Sequence, residues 1–212
     1  MLKKFKIPKS ILYLLGLAVF LNILRIFLFG NTTFLYMFWN IFLAFIPFLI
    51  SSILLLNTNK GNITKPIFII GFILWFIFLP NAPYVITDFI HLGRIHAVPV
   101  MYDMFLLFAS ASVSLLMGLY SIMQMEKILL LKFTKKITNI IIIVTILFAS
   151  FGVYLGRYLR FNSWDLFISH DSLFTSIWKI FTGSNNYANV YGYTLLFFIF
   201  IYTSYMAFRS SI

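Results

Sequence analysis

Cysteine is absent from the 212-residue chain, which excludes disulfides, thiolate metal sites and cysteine nucleophiles. Any chemistry is left to Asp, His, Arg, Ser, Thr, Tyr and Asn. Charge is scarce too: 10% of residues are charged, whereas a soluble globular domain carries about 25%. Acids are the rarest, with 5 Asp and Glu against 16 Lys and Arg, and there are 3 His. No glycine-rich phosphate loop is present, and neither Ser163 nor Ser172 has the flanking sequence of a nucleophile elbow. Repeats and low-complexity linkers are missing as well, and no motif calls for a cofactor.

Apolar residues take the place of charge. They make up 62% of the chain, aromatics 20%, and mean hydropathy is +0.99, so water is not the main solvent. The expectation is an all-α polytopic membrane bundle of about six transmembrane helices, a single domain over 1–212. The expected spans are about 11–29, 34–56, 66–79, 102–125, 137–154 and 190–208, with long connections over 80–101 and 155–189. The first run follows Lys3, Lys4, Lys6 and Lys9 like a signal peptide. It is longer than the usual apolar signal core of about 7–15 residues, and Gly30-Asn31-Thr32-Thr33 offers no small-residue cleavage site, so a retained anchor is expected.

A net charge of +11 suits a nucleic-acid binder in the abstract, but its distribution argues against one. With the N-terminus inside, the inner side carries Lys3, Lys4, Lys6, Lys9, Lys60, Lys65, Lys127, Lys132, Lys135, Lys136 and Arg209. The outer side carries Arg94, Arg157, Arg160 and Lys179, a bias of 11 to 4, with Arg25 inside the first span. Positive charge stays cytoplasmic in a bilayer, so both termini are expected in the cytoplasm and the partner is lipid, not nucleic acid. Arg25 lies near the end of its span, where a snorkelling side chain is the simplest expectation.

On this topology Asp88, Asp103, Asp165 and Asp171, with His91, His96 and His170, fall in or beside the two outer connections, and only Glu126 lies inside. The first outer stretch reads Leu79-Pro80-Asn81-Ala82-Pro83-Tyr84-Val85-Ile86-Thr87-Asp88-Phe89-Ile90-His91-Leu92. The 14 residues from Pro66 to Leu79 make about 21 Å of helix, less than the ~30 Å hydrocarbon core. Two prolines remove backbone donors, so a break is expected at Asn81-Ala82-Pro83. A short, partly embedded helix is expected beyond it, with Asp88 and His91 on one face and Thr87 and His91 also paired. The second stretch, Gly156-Arg157-Tyr158-Leu159-Arg160-Phe161-Asn162-Ser163-Trp164-Asp165, places two guanidinium forks three residues apart. Asp171-Ser172 is expected to cap an amphipathic helix over 173–181 lying along the outer surface.

Leu79-Pro80-Asn81-Ala82-Pro83-Tyr84, Thr87-Asp88, His91-Leu92, Tyr102-Asp103 and the stretch from Gly156 to Asp165 resemble the bacterial multi-pass membrane family called domain of unknown function 1361. The likeness spans nearly the whole chain. Tyr102 and Phe161 stand where the family's usual pattern has Trp. The resemblance implies a bacterial cytoplasmic membrane but supplies no activity.

The leading functional expectation is binding or processing of an anionic lipid-linked or cell-envelope molecule at an outward-facing polar site. Asp88 and His91 would transfer protons, Arg157 and Arg160 would clamp the anion, and Asn81, Asn162 and Asp165 would orient the groups. An alternative is a non-catalytic accessory or scaffold subunit, in which Asp88, Asp103 and Asp165 brace the loops against Arg94, Arg157 and Arg160. A small transporter using Asn22, Arg25, Asn40 and Asn139 is a third reading, with interhelical hydrogen bonding by these Asn side chains as its structural counterpart. A metal site on Asp88 and His91, with Asp103, Asp165 or His170, rests on one Asp-x-x-His pair, which a capping Asp and a structural His explain as well.

Overall fold

The computed structural model describes residues 7–93, 98–168, 170–182 and 190–210. Lys3, Lys4, Lys6, Arg94 and His96 lie outside the described residues. Among those described there are helices and no strands. Helix α1 is Lys9–Phe29, ended by Gly30 at φ 59°, the left-handed position that glycine takes at helix C-termini. A 3-10 turn over Thr33–Leu35 opens α2, Tyr36–Asn59, and α3 is Lys65–Phe78. Next come α4, Asn81–Tyr84, and a 3-10 helix, Val85–His91. The remaining helices are α5, Val100–Leu130; α6, Lys135–Tyr158; α7, Asp165–Ile168; α8, His170–Phe181; and α9, Val190–Ser210.

Six stretches among the described residues are long and apolar enough to cross a bilayer: Lys9–Phe29, Thr33–Asn59, Lys65–His91, Val100–Leu130, Lys135–Tyr158 and Val190–Ser210. The chain is therefore an all-α multi-pass bundle. Its elements alternate between two ends, one carrying the loops at Lys60 and Lys132 (the basic end), the other carrying both long motifs (the motif end).

Helix α3 itself ends at Phe78, close to the expected end of the third span, and a short helix and a 3-10 helix continue the chain to His91. The whole apolar stretch, Lys65–His91, is 27 residues, more than the roughly 20 that cross a bilayer. Leu79, Pro80 and Val85 all keep right-handed helical torsions, with φ between −55° and −57°. Proline's fixed φ suits a helix; what it removes is a donor, so the irregularity is one of hydrogen bonding. Side chains offset the loss. Asn81 Nδ2 donates to the Phe78 carbonyl at 2.9 Å, and Ser163 Oγ donates to the Ile77 carbonyl at 3.0 Å.

At the centre lies α5, packed against α1, α2, the α4 and 3-10 segment, α6 and α9. Small buried residues on it, Ala109, Ser110, Ala111, Ser114 and Ser121, permit the close approach that membrane helices need where apolar burial gives no advantage over lipid. Two glycines seat the proline segment between α5 and α6. A Cβ on Gly118 would fall 2.8 Å from Ala82 Cβ, and one on Gly152 would fall 2.6 Å from Pro80 Cγ. Gly16, by contrast, has nothing within 4 Å of its Cβ position and serves no such contact. The outward faces carry Phe27, Ile70, Phe148 and Leu196, exposed as lipid-facing side chains are.

Ion pairs join the elements at both ends. Arg25 does not snorkel: it is 1% exposed, and its Nε meets Asp103 Oδ1 at 2.7 Å while Nη2 meets Oδ2 at 3.2 Å. Its Nη1 donates to the Asn31 Oδ1 and carbonyl, and the Phe34 ring lies 4.7 Å from the guanidinium carbon. Arg has five donors in a fork, and the first loop and α5 engage four of them, which offsets much of the cost of burying the group. Asp103 is correspondingly an interhelical partner of α1. At the basic end Arg209 of α9 pairs with Glu126 of α5 at 2.5 Å.

Candidate functional site

At the motif end the 3-10 helix brings Asp88 and His91 onto one line, because side chains three apart eclipse at three residues per turn. The expected pairing of Thr87 with His91 is lost for the same reason, and Thr87 Oγ1 instead donates to the Tyr84 carbonyl at 2.7 Å. Asp88 is 1% exposed. From α2, Asn40 Nδ2 donates to Asp88 Oδ2 at 2.8 Å, and from the last turn of α6, Arg157 Nη1 donates to Oδ1 at 3.2 Å. The other arm of Arg157, Nη2, lies 3.0 Å from His91 Nε2. Since guanidinium only donates, Nε2 accepts, which places the ring proton on Nδ1 and makes the imidazole neutral. Tyr36 packs edge-on to that ring, with centroids 6.0 Å apart.

The structure thus brings Asp88, His91 and Arg157 together and leaves Arg160 elsewhere. Helix α6 ends at Tyr158 before the second guanidinium can join the same face. Arg160 adopts φ 59° and is exposed, with no hydrogen bond or ion pair among the described residues. Two arginines three apart on one helix face was the expectation; a helix terminus between them separates the pair. Asp165 is also apart from Arg157. Its Oδ2 accepts from the Asn162 amide nitrogen at 2.6 Å and faces Asn162 Nδ2 at 3.5 Å, so it closes the turn that opens α7. Asp171 lies in the first turn of α8, which begins at His170 and not after Ser172. Among the described residues no three acids or histidines gather as a metal would require; Asp88 is held by an amide and a guanidinium, with Asp103 and Asp165 committed elsewhere.

Asn81 and Asn162, with Asn40 and Ser163, meet at a different feature, a cavity of about 930 Å³ bounded by α2, α3, α4, α6, α7, α8 and α9. Asn81 Nδ2 donates to Ser163 Oγ at 2.8 Å as well as to the Phe78 carbonyl, so the two motifs are stitched together in its wall. Most of the lining is aliphatic or aromatic, including Phe76, Leu147, Phe148, Phe151, Ile177 and Leu195. Leu147, Phe148 and Leu195 are exposed while lining it, so the cavity is open to the surroundings of the bundle along its apolar wall. Asp88, His91, Arg157 and Arg160 are not in its lining. Asn40 is the bridge, lining the cavity while holding Asp88.

Sequence reasoning gave Asn40 either a transport pathway or an interhelical hydrogen bond and considered Ser163 only as a nucleophile. Their placement depends on which helices meet. The polar residues beside the prolines carried the one available signal, since donors lost at a proline must be replaced nearby.

No curated protein and no solved structure matches the chain. A family model described as "Protein of unknown function (DUF1361)" matches residues 39–204, a stretch that holds both motifs, the cavity wall and the Asp88–His91–Arg157 cluster. The chain belongs to that family.

Proposed function

We propose that the protein binds an anionic lipid-linked envelope molecule at the motif end, which faces outward across a bacterial cytoplasmic membrane. The observation that carries this reading is the open apolar cavity whose polar wall is built jointly by the Pro80–Tyr84 and Arg160–Asp165 stretches. An apolar chain enters such a space from the bilayer, and volumes of about 300–1,000 Å³ suit small-molecule sites. Arg160 adjoins Phe161 and Asn162, which line the cavity. It is the guanidinium free to take a phosphate, whereas Arg157 is neutralised by Asp88. Processing of the bound molecule would draw on His91, a neutral imidazole oriented by Arg157.

The test is binding of a fluorescent long-chain phosphate monoester to the protein in nanodiscs. Arg160→Ala weakens binding by about tenfold, the size of one charge-assisted contact, and raises its salt sensitivity no further. Unchanged affinity in Arg160→Ala, or no binding by the wild type, overturns the reading.

A second reading, an accessory subunit with a purely bracing role, is favoured by the pairing of Asp88 with Arg157 across two helices. It predicts that Asp88→Arg with Arg157→Asp restores folding lost in each single change and keeps the protein's cellular role. The swap to examine is this one, since Asp165 contacts its own turn.

A further inference from the structure

The cavity's polar groups are all uncharged, and their hydrogen-bonding capacity is unevenly used. The Asn81 amide nitrogen faces the Phe78 carbonyl, and a carbonyl only accepts, so the orientation of that amide is set by chemistry. Its Oδ1 is left as an acceptor without a partner among the described residues. Asn40 likewise turns its nitrogen to the Asp88 carboxylate, leaving Oδ1 as a second acceptor. Thr194 of α9 also lines the cavity, and its Oγ1 is buried with no hydrogen-bond partner among the described residues. Nearby α6 and α9 contribute stacked Tyr154 and Tyr158, centroids 4.9 Å apart, with Tyr193 at 4.7 Å from Tyr158.

Phosphate oxygens at neutral pH accept hydrogen bonds and donate almost none, so they satisfy neither amide oxygen. A hydroxyl group does both, donating to an Asn oxygen and accepting from the Thr194 hydroxyl. Leaving buried polar groups unmatched is what makes a site reject a ligand lacking them.

Resting on the binding reading above, we infer that the cavity selects an amphiphile whose neutral, hydroxyl-bearing portion lies inside against Asn40, Asn81 and Thr194, with its phosphate outside at Arg160. A glycosyl unit and a glycerol-type polyol share this chemistry. The ligand class is a hydroxylated lipid phosphate, not a bare alkyl phosphate.

Four fluorescent probes with one common alkyl chain test this in nanodiscs: a phosphate monoester, a neutral glucoside, a glucosyl phosphate and a glycerol phosphate. The wild type binds one or both of the hydroxylated phosphates about tenfold or more tightly than the bare phosphate. Thr194→Val, which keeps side-chain shape and removes a hydroxyl that has no partner among the described residues to lose, leaves thermal stability unchanged. It reduces that preference by about three- to tenfold without weakening the bare phosphate. Asn40→Leu serves as a second variant, with folding followed by thermal melting. Equal binding of bare and hydroxylated phosphates overturns this inference and leaves the anion reading standing. Binding of the neutral glucoside as tight as the glucosyl phosphate overturns the anion reading and with it the lipid phosphate assigned here, leaving only hydroxyl recognition by the cavity. A preference retained in folded Thr194→Val and Asn40→Leu overturns the assignment of these residues.

Discussion

Three of the five acids illustrate what a bilayer demands of a single residue. Asp88, Asp103 and Glu126 are all buried, and each meets an arginine from another helix. Removing one partner strands a charge where no water can reach it, at a cost of about 3–5 kcal/mol, while replacing both with apolar residues is close to neutral. Arg25→Met is therefore expected to lower the detergent melting temperature sharply, and Arg25→Met with Asp103→Leu to recover most of it; a recovery absent from the double variant counts against the pair as the cause. Arg160 is the contrasting case. A non-glycine residue at φ 59° carries about 1–2 kcal/mol of backbone strain, and strain without a local partner marks functional positions. Arg160→Gly is expected to raise the melting temperature while lowering phosphate-probe affinity about tenfold. A variant that gains stability and binds normally would remove this arginine from the site.

At the scale of elements, the segment from Pro80 to His91 decides the architecture of the motif end. It remains helical because proline's φ is compatible, and it remains buried because Gly118 and Gly152 leave room for Ala82 and Pro80. Gly152→Val drives atoms into the Pro80 ring and is expected to cost about 1–3 kcal/mol, whereas Gly16→Val, with nothing within 4 Å, is expected to leave the melting temperature nearly unchanged apart from helix propensity. Equal effects from the two would mean that the close approach at Pro80 is unimportant. Asn81→Ala removes the donor from the Phe78 carbonyl and the link to Ser163; a loss of about 1–3 kcal/mol is expected for carbonyls left unsatisfied at depth. The interruption near the prolines and the short helix beyond it were legible beforehand, but the groups that satisfy the freed backbone were not. Pro80 and Pro83 announced a hydrogen-bonding problem, and a break was the local consequence. The remedy comes in part from a helix end some eighty residues away, which no local pattern encodes. The amphipathic α8 was legible in kind, through Leu173 and Ile177, but its start was misplaced because Asp171 suits a first turn as well as a cap.

For the whole molecule, the alternation of helix ends places Lys60, Lys65, Lys132, Lys135 and Lys136 together and opposite both motifs. Since positive charge is generally retained in the cytoplasm, we propose that the basic end faces inward. The lack of native cysteine makes this directly measurable: Lys132→Cys is expected to resist a membrane-impermeant maleimide in intact cells and react after permeabilisation, and Arg160→Cys is expected to react in both. The reverse pattern would invert the protein and move the cavity to the cytoplasmic leaflet.

Sequence alone determined the solvent and the number of crossings, because both follow from local apolar content and helix length, and membrane spans bond their backbones internally. It also indicated that the scarce ionisable groups matter. Tertiary structure alone decided their partners: Arg25 with Asp103, Arg157 with Asp88 and His91, Arg160 with none of these, and Asn40 and Ser163 in a cavity wall. The reason is that a helix's neighbours in lipid are chosen by close packing of small residues and by pairing of polar ones, and those contacts link positions far apart along the chain.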